Sequence, residues 1–250
     1  MIDTIIFDMG GTLEDIYSDE ESKDASAREV LRILKSHGIN VTDDLEIAKK
    51  KLQAGWSRYE SYSIPINREL KPEEIWGNFV LTEFGLDKAS ISPFAEELAH
   101  MWEVTFYHRN LRPRVIEILQ GLKKIGFKLG VISNTASLFQ VFESLEEYRI
   151  RDFFDDVTLS SITGYRKPHA NIFKVSLYQL KSDRKKCAYV GDTYSRDVIG
   201  ANNAGFGMTF HINSALSKQK DVNVPKDIKA TYEISDIYEV YTILNDLMKK

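Results

Sequence analysis

With one cysteine in 250 residues, Cys187, the chain has no partner for an internal disulfide and no cysteine-based metal site. The setting "CAYVG" suits a buried strand residue, and a reducing compartment is the natural reading. An excess of charge of one sign is also missing: 33 basic residues stand against 37 acidic ones, a formal charge of −4. That balance supplies neither the basic footprint of a nucleic-acid binder nor a polybasic membrane patch. No run approaches the ~20 apolar residues of a membrane span, and Asp3 and Asp8 interrupt the N-terminal segment before it can act as a signal peptide. Internal repeats and low-complexity tracts are absent. These absences predict a soluble cytoplasmic protein, a monomer or homodimer, with no nucleic-acid and no membrane partner. A 43% hydrophobic content is enough to bury a core without staples.

From residue 111 onward, helix and strand signals alternate. "PRVIEILQGLKKIG" carries Pro113 at a helix start, apolar residues at 115, 116, 119 and 122, and Gly126 as a left-handed cap. Strands are predicted at 127–133, 155–161, 187–191 and 207–212, with helices near 136–148, from Pro168 to about Leu180, and 195–205. A loop at 222–225, an edge strand "TYEIS" and a terminal helix "IYEVYTILNDLM" close the chain. Together with a strand at 2–8, this is the alternation of a parallel α/β sheet, doubly wound and Rossmann-like, with helices on both faces.

Residues 17–109 break the pattern and read as consecutive helices, at 26–37, 43–63, 72–84 and 93–107. The expected organisation is therefore a core of 1–16 and 110–250 with an all-helical insertion at 17–109. Trp56, Trp76 and Trp102 all fall inside the insertion and are read as its core, the alternative being that one of them lines a substrate pocket.

Four groups of polar residues sit at the carboxyl ends of predicted core strands: Asp8; Ser133-Asn134-Thr135; Gly164 to Pro168; and Gly191-Asp192 with Asp197. Strand ends of a doubly wound sheet converge on one crevice. Asp8 and Asp192, with a backbone carbonyl, are hard oxygen ligands of the kind Mg²⁺ takes. The Ser133 hydroxyl, a nearby backbone N–H and the Lys167 ammonium suit the oxygens of a phosphoryl group. With metal and phosphate in place, Asp8 becomes a candidate covalent nucleophile. Singly, each of these residues reads as well as a cap or a turn; their order and common placement carry the reading.

In that order the residues resemble the haloacid dehalogenase-like hydrolase superfamily. "DMGGTL" at 8–13 resembles its DxDGT[LV], "GVISN" at 130–134 its hhhSN, "GYRKPHANIF" at 164–173 its lysine motif, and "GDTYSRD" at 191–197 its GDxxxxD. The resemblance implies Asp8 as nucleophile and metal ligand, and Lys167 as the catalytic charge neutraliser. It implies Gly11, Thr12, Ser133, Asn134 and Lys167 around the substrate, and a Mg²⁺ site of Asp8, the Gly10 carbonyl, Asp192 and Asp197, with Asp197 a metal-site or lysine-orienting carboxylate. The helices at 17–109 would be the family's cap.

Position 10 departs from the pattern. Phosphatases of this superfamily carry a second aspartate there, which protonates the leaving oxygen and later deprotonates water; this chain has Gly10. General acid/base help is worth about 10²–10⁴ in rate. The resulting expectation is a Mg²⁺-dependent phosphatase of a small phosphorylated metabolite, acting through an aspartyl-phosphate on Asp8. The alternative is a catalytically weak phosphate-binding or regulatory relative. A dehalogenase would carry tyrosine at position 10 and lack the paired aspartates. A phosphonatase would carry alanine there and a cap lysine for a Schiff base; Lys49, Lys50 and Lys51 are nominees, although such a run is ordinarily a solvated face. The histidines at 37, 100, 108, 169 and 211 show no ligand spacing, and His108, Arg109 and Arg112 are read as a solvated hinge between insertion and core, with contact to substrate as the alternative.

Overall fold

The computed structural model describes residues 1–214, 217–221, 224, 225 and 227–249. The chain opens with β1 (Thr4–Phe7), coils through residues 8–13 and enters β2 (Glu14–Tyr17). Five helices follow: α1 (Glu20–Ser36), α2 (Leu45–Ile66), α3 (Pro72–Ile75), α4 (Lys88–Ile91) and α5 (Ala95–Thr105). β3 (His108–Leu111) returns antiparallel to β2. Next come α6 (Val115–Ile125), β4 (Lys128–Ser133), α7 (Gln140–Glu147), β5 (Asp156–Leu159), α8 (Ser160–Thr163) and α9 (Ala170–Gln179). The remainder is β6 (Cys187–Gly191), α10 (Ile199–Ala204), β7 (Met208–Ile212), α11 (Ser217–Lys220), β8 (Tyr232–Ile234) and α12 (Tyr238–Met248).

Six strands form one parallel sheet in the order β5-β4-β1-β6-β7-β8. β1 is central, and the chain winds outward first on its β4 side and then on its β6 side. The strand order reverses at β1, which places the ligand crevice beyond its carboxyl end. A strand covered on both faces must be apolar on both: Ile5 and Phe7 join one core with Val115, Leu119 and Leu122 of α6, and Ile6 joins another with Ile172 and Phe173 of α9. α6 buries Val115, Ile118, Leu119 and Leu122, an i, i+3, i+4, i+7 stripe, and turns Ile116 outward. Gly126 caps it at φ 104°.

The helical segment has a hydrophobic core of its own, in which Trp56 stacks on Trp102 at 5.2 Å and meets Trp76 edge-on at 5.7 Å. The helix expected at 72–84 changes type along its length: α3 passes at Ile75 directly into a wide π-helical turn over Trp76–Val80, and a tight 3-10 turn follows over Thr82–Phe84. Gly77 lies against the Lys88 backbone, where a Cβ would come within 2.3 Å of Lys88 Cα, so only glycine allows this close packing against α4. The β2–β3 hairpin was not anticipated: "EDIY" and "HRNL" are short and charged, without the alternation that marks a strand. Of the loop expected at 222–225, Val222 and Asn223 lie outside the described residues. Among the described residues no helix is long and apolar enough to cross a membrane.

Candidate active site

The two glycines after Asp8 differ in kind. Residues 12 to 14 each donate a backbone hydrogen bond to the Met9 carbonyl, coiling the chain tightly at the end of β1. Gly11 sits at φ 90°, and a Cβ there would come within 2.2 Å of Asp192 Oδ2, so only glycine fits. Gly10 lies outside the left-handed region, and a Cβ on it would make ordinary contacts, 3.4 Å to Ile16 Cδ1 and 3.7 Å to Glu14 Oε1. The backbone demands glycine at 11 and tolerates a side chain at 10.

Asp8, Asp192 and Asp197 converge at the ends of β1 and β6, each offering an oxygen within 4.8 Å of the others. Lys167 comes from the loop before α9, and its Nζ stands 2.7 Å from both Asp8 Oδ1 and Asp197 Oδ1. All four side chains are buried. Burial pushes the Asp8 carboxyl up to about 7, with Lys167 opposing and the two neighbouring aspartates adding to the rise. Burial and Asp197 raise Asp192 as well. Asp197 goes the other way: burial opposes its ionisation, yet Lys167 and Arg196 hold it down to about 2. Its Oδ1 accepts from Lys167 and from the Tyr189 hydroxyl, and its Oδ2 from the Thr193 N–H and hydroxyl.

Asp192 is held differently. The Ser214 hydroxyl donates to its Oδ2 at 2.5 Å, whereas its buried Oδ1 has no hydrogen-bond partner. An orphaned buried carboxylate oxygen, in a cluster of three carboxylates against one ammonium, is the donor set a hard divalent cation fits. The Thr12 hydroxyl is likewise buried and without a partner. Ser133 ends β4 facing the cluster's edge of the sheet, and no hydrogen bond to its hydroxyl is present among the described residues. Asn134 is spent on the Lys167 loop: its Oδ1 accepts from Lys167 N at 2.8 Å and its Nδ2 donates to Lys167 O at 3.2 Å.

Helical-segment carboxylates bond the loop that follows β4, and none of them stands out in the sequence. On α5, Glu96, His100 and Glu103 form one i, i+4, i+7 stripe. Glu96 accepts from the Ser137 hydroxyl and the Leu138 N–H, His100 Nε2 lies 2.5 Å from Glu143 Oε2, and Glu103 accepts from Ala136 N. Glu103 also pairs with Arg109 Nη2 at 2.7 Å, and Arg109 Nη1 pairs with Glu14, whose other oxygen accepts from the Tyr148 hydroxyl at 3.0 Å. The only signal in the sequence was the spacing 96, 100, 103, which reads equally well as a solvated face. The three residues read as a hinge lie around the β2–β3 pair: His108 Nε2 stands 3.2 Å from Asp19, Arg109 bonds the two glutamates, and Arg112 Nε stands 2.9 Å from Asp15. Lys49 pairs with Asp24 at 2.6 Å and Lys51 donates to Glu83 O at 2.8 Å, both within the helical segment.

The model of the haloacid dehalogenase-like hydrolase family matches residues 2–205. The chain belongs to that family. Over 254 residues it is 26% identical to a glyceraldehyde 3-phosphate phosphatase of Methanocaldococcus jannaschii, covering 100% of both chains. Its fold is similar to that of a 2-haloacid dehalogenase from Pseudomonas syringae pv. Tomato, with a TM-score of 0.69 at 21% identity over 99% of this chain and 100% of that one. A HAD phosphatase from Thermococcus onnurineus gives 0.61 at 23% identity, over 97% and 98%. The expected Rossmann-like doubly wound core is thus the family's fold, with the six parallel strands described above.

Proposed function

We propose that this hydrolase is a divalent-cation-dependent phosphatase of small phosphorylated metabolites, with Asp8 as nucleophile. The observation that carries the reading is Lys167 Nζ, held 2.7 Å from Asp8 and from Asp197 at the switch point of the sheet. An ammonium so placed offsets the charge of a phosphoryl group approaching Asp8 and keeps the Asp8 oxygen aimed. One Asp8 oxygen attacks phosphorus, the ester oxygen leaves, and water then cleaves the acyl phosphate on Asp8. Asp8, Asp192 and the Gly10 carbonyl would hold Mg²⁺, which when bound supplies positive charge against the carboxylates and the phosphoryl oxygens. We assign Asp197 to Lys167, because both of its oxygens already accept hydrogen bonds. Thr12 and Ser133 offer hydroxyls to the phosphoryl group, and Asn134 holds the Lys167 loop. Residues 17–109 act as a cap that excludes water. A three-carbon sugar phosphate is the first candidate substrate, on the strength of the full-length likeness to the Methanocaldococcus enzyme. The cytoplasm is the proposed location, in keeping with the buried single cysteine.

A second reading, a weakly turning-over phosphate-binding relative, is favoured by one observation. The carboxylate nearest the vacant side-chain position of Gly10 is Glu14, and Arg109 and Tyr148 already engage both of its oxygens. Steady-state hydrolysis of a panel of aryl, acyl and alkyl phosphates, with Mg²⁺ and after chelation, separates the two. The phosphatase reading expects turnover that chelation and Asp8→Asn each abolish. Saturable phosphate binding with no turnover would support the second reading instead.

A further inference from the structure

We propose that Glu69, on the turn between α2 and α3, is a positioning residue that sets both loops facing the reacting phosphoryl group. The inference rests on the phosphatase reading of the site and adds a residue from outside it. Asn67 ends α2 in the left-handed region, at φ 50°, and turns the chain toward the sheet. There Asn67 O accepts from Arg166 N at 3.0 Å and Glu69 N donates to Gly164 O at 3.2 Å, so 67–69 runs antiparallel beside 164–166. The Arg68 guanidinium covers the Tyr165 ring at 4.5 Å.

The Glu69 side chain is fully buried, and a buried carboxylate is tolerated only when its oxygens are paired. Oε1 accepts from the Tyr59 hydroxyl. Oε2 accepts from Arg166 Nη1 at 2.5 Å and from the Ser160 hydroxyl at 2.8 Å. Each of the Oε2 bonds leads into a different loop of the site. Arg166 precedes Lys167. Ser160 Oγ accepts from Thr135 N at 2.9 Å, next to Ser133-Asn134, and Asn134 is bonded back to the Lys167 backbone at 2.8 Å. The result is a closed ring: Glu69, Arg166-Lys167, Asn134-Thr135, Ser160 and Glu69 again. Cutting the ring at Glu69 leaves Asn134 as the one side chain of the ring that still ties the Lys167 loop to the Ser133 loop. A misplacement near 1 Å in such a constellation costs on the order of a hundredfold in rate.

A residue that merely fastened the helical segment would, when removed, lower stability and leave the two loops as they were. The test compares the full-length wild type with Glu69→Gln, which keeps size and loses charge, and with Ser160→Ala, which cuts only the Thr135 arm. Amide exchange is followed at Thr135, Arg166 and Lys167 and, as a control, along β1 and β6. Turnover of an aryl phosphate with Mg²⁺ is measured alongside. In Glu69→Gln the three loop amides are expected to exchange roughly tenfold faster, with β1 and β6 unchanged. Turnover is expected to fall roughly ten- to a hundredfold in kcat, with KM changing far less. In Ser160→Ala the Thr135 amide alone loosens. Unchanged loop exchange in a folded Glu69→Gln protein overturns the proposal. If that variant does not fold, unchanged Thr135 exchange in Ser160→Ala overturns it. A wild type without turnover sinks the phosphatase reading and leaves the exchange measurement to decide the role of Glu69.

Discussion

Glu14 Oε1 lies 3.7 Å from where a Cβ on Gly10 would stand. A carboxylate is therefore already in place beside Gly10, but it is tied to Arg109 and Tyr148. Gly10→Asp on its own crowds two carboxylates together in a buried setting, where like charges oppose each other. Alkyl-phosphate turnover is expected to rise little in that protein. Gly10→Asp with Glu14→Gln removes the repulsion while the glutamine still accepts from Arg109, and alkyl-phosphate turnover should rise roughly 10²–10⁴-fold, with aryl phosphates nearly unaffected. Equal cleavage of both classes by the wild type, with no gain in the folded double variant, would show that the proton comes from elsewhere.

Lys167→Ala is expected to weaken binding of a phosphate analogue and to lower kcat together, the latter by about 10²–10³. In the proposed mechanism its ammonium would face the phosphoryl oxygens before and during transfer. Titration with the analogue in the presence of Mg²⁺ checks this, and equal affinity in the two proteins would reduce Lys167 to a helix-start lysine.

The cation-free protein should lose stability as pH rises. Burial, opposed by Lys167, leaves the Asp8 carboxyl raised to about 7 from its ordinary 3.8. The folded state then binds the proton more tightly than the unfolded state. Its contribution is fully present below the lower value and is lost as pH rises through the upper one. Asp192 acts in the same direction. Asp197, lowered to about 2, acts in the opposite sense, and only below its ordinary 3.8. Melting temperatures without a divalent cation should fall between about pH 4 and pH 7, and the gain on adding Mg²⁺ should be larger at pH 8 than at pH 5. A Mg²⁺ gain independent of pH would contradict a cation at these carboxylates.

Gly11→Ala should be far more damaging than Gly10→Ala. At φ 90° a side chain costs roughly 1–2 kcal/mol before any clash, and the 2.2 Å approach to Asp192 adds displacement of that carboxylate. Thermal unfolding of the two alanine variants checks this: Gly10→Ala is expected within about 1 kcal/mol of wild type, since its contacts are ordinary.

The legible parts of the chain were those where one physical rule dominates. β1, β4, β6 and β7 are buried on both faces and read as apolar runs, and α6 shows its stripe and its Gly126 cap. Asp8, Lys167 and Asp192, which the fold brings together, could be nominated from sequence because strand ends converge. The unread parts depend on contacts between distant segments. Gly77 is needed because the Lys88 backbone packs against it, and β2 and β3 exist because they pair. Glu14, Glu69, Glu96 and Glu103 look in sequence like solvated charge, and only the fold buries them against Arg109, Arg166 and the Thr135–Leu138 backbone.

The position of β1 in the sheet also orders events in time. Thr4 lies opposite Lys128 on one side and Cys187 on the other. The strand that carries Asp8 lies far in sequence from both of its neighbours, with the whole helical segment between it and β4 and most of the chain between it and β6. Contacts among α1, α2 and α5 close far shorter loops and form on a faster clock. Pairing of Thr4–Phe7 thus closes long loops on both of its edges, and the carboxylate proposed as nucleophile takes up its surroundings only with those slow, long-range contacts.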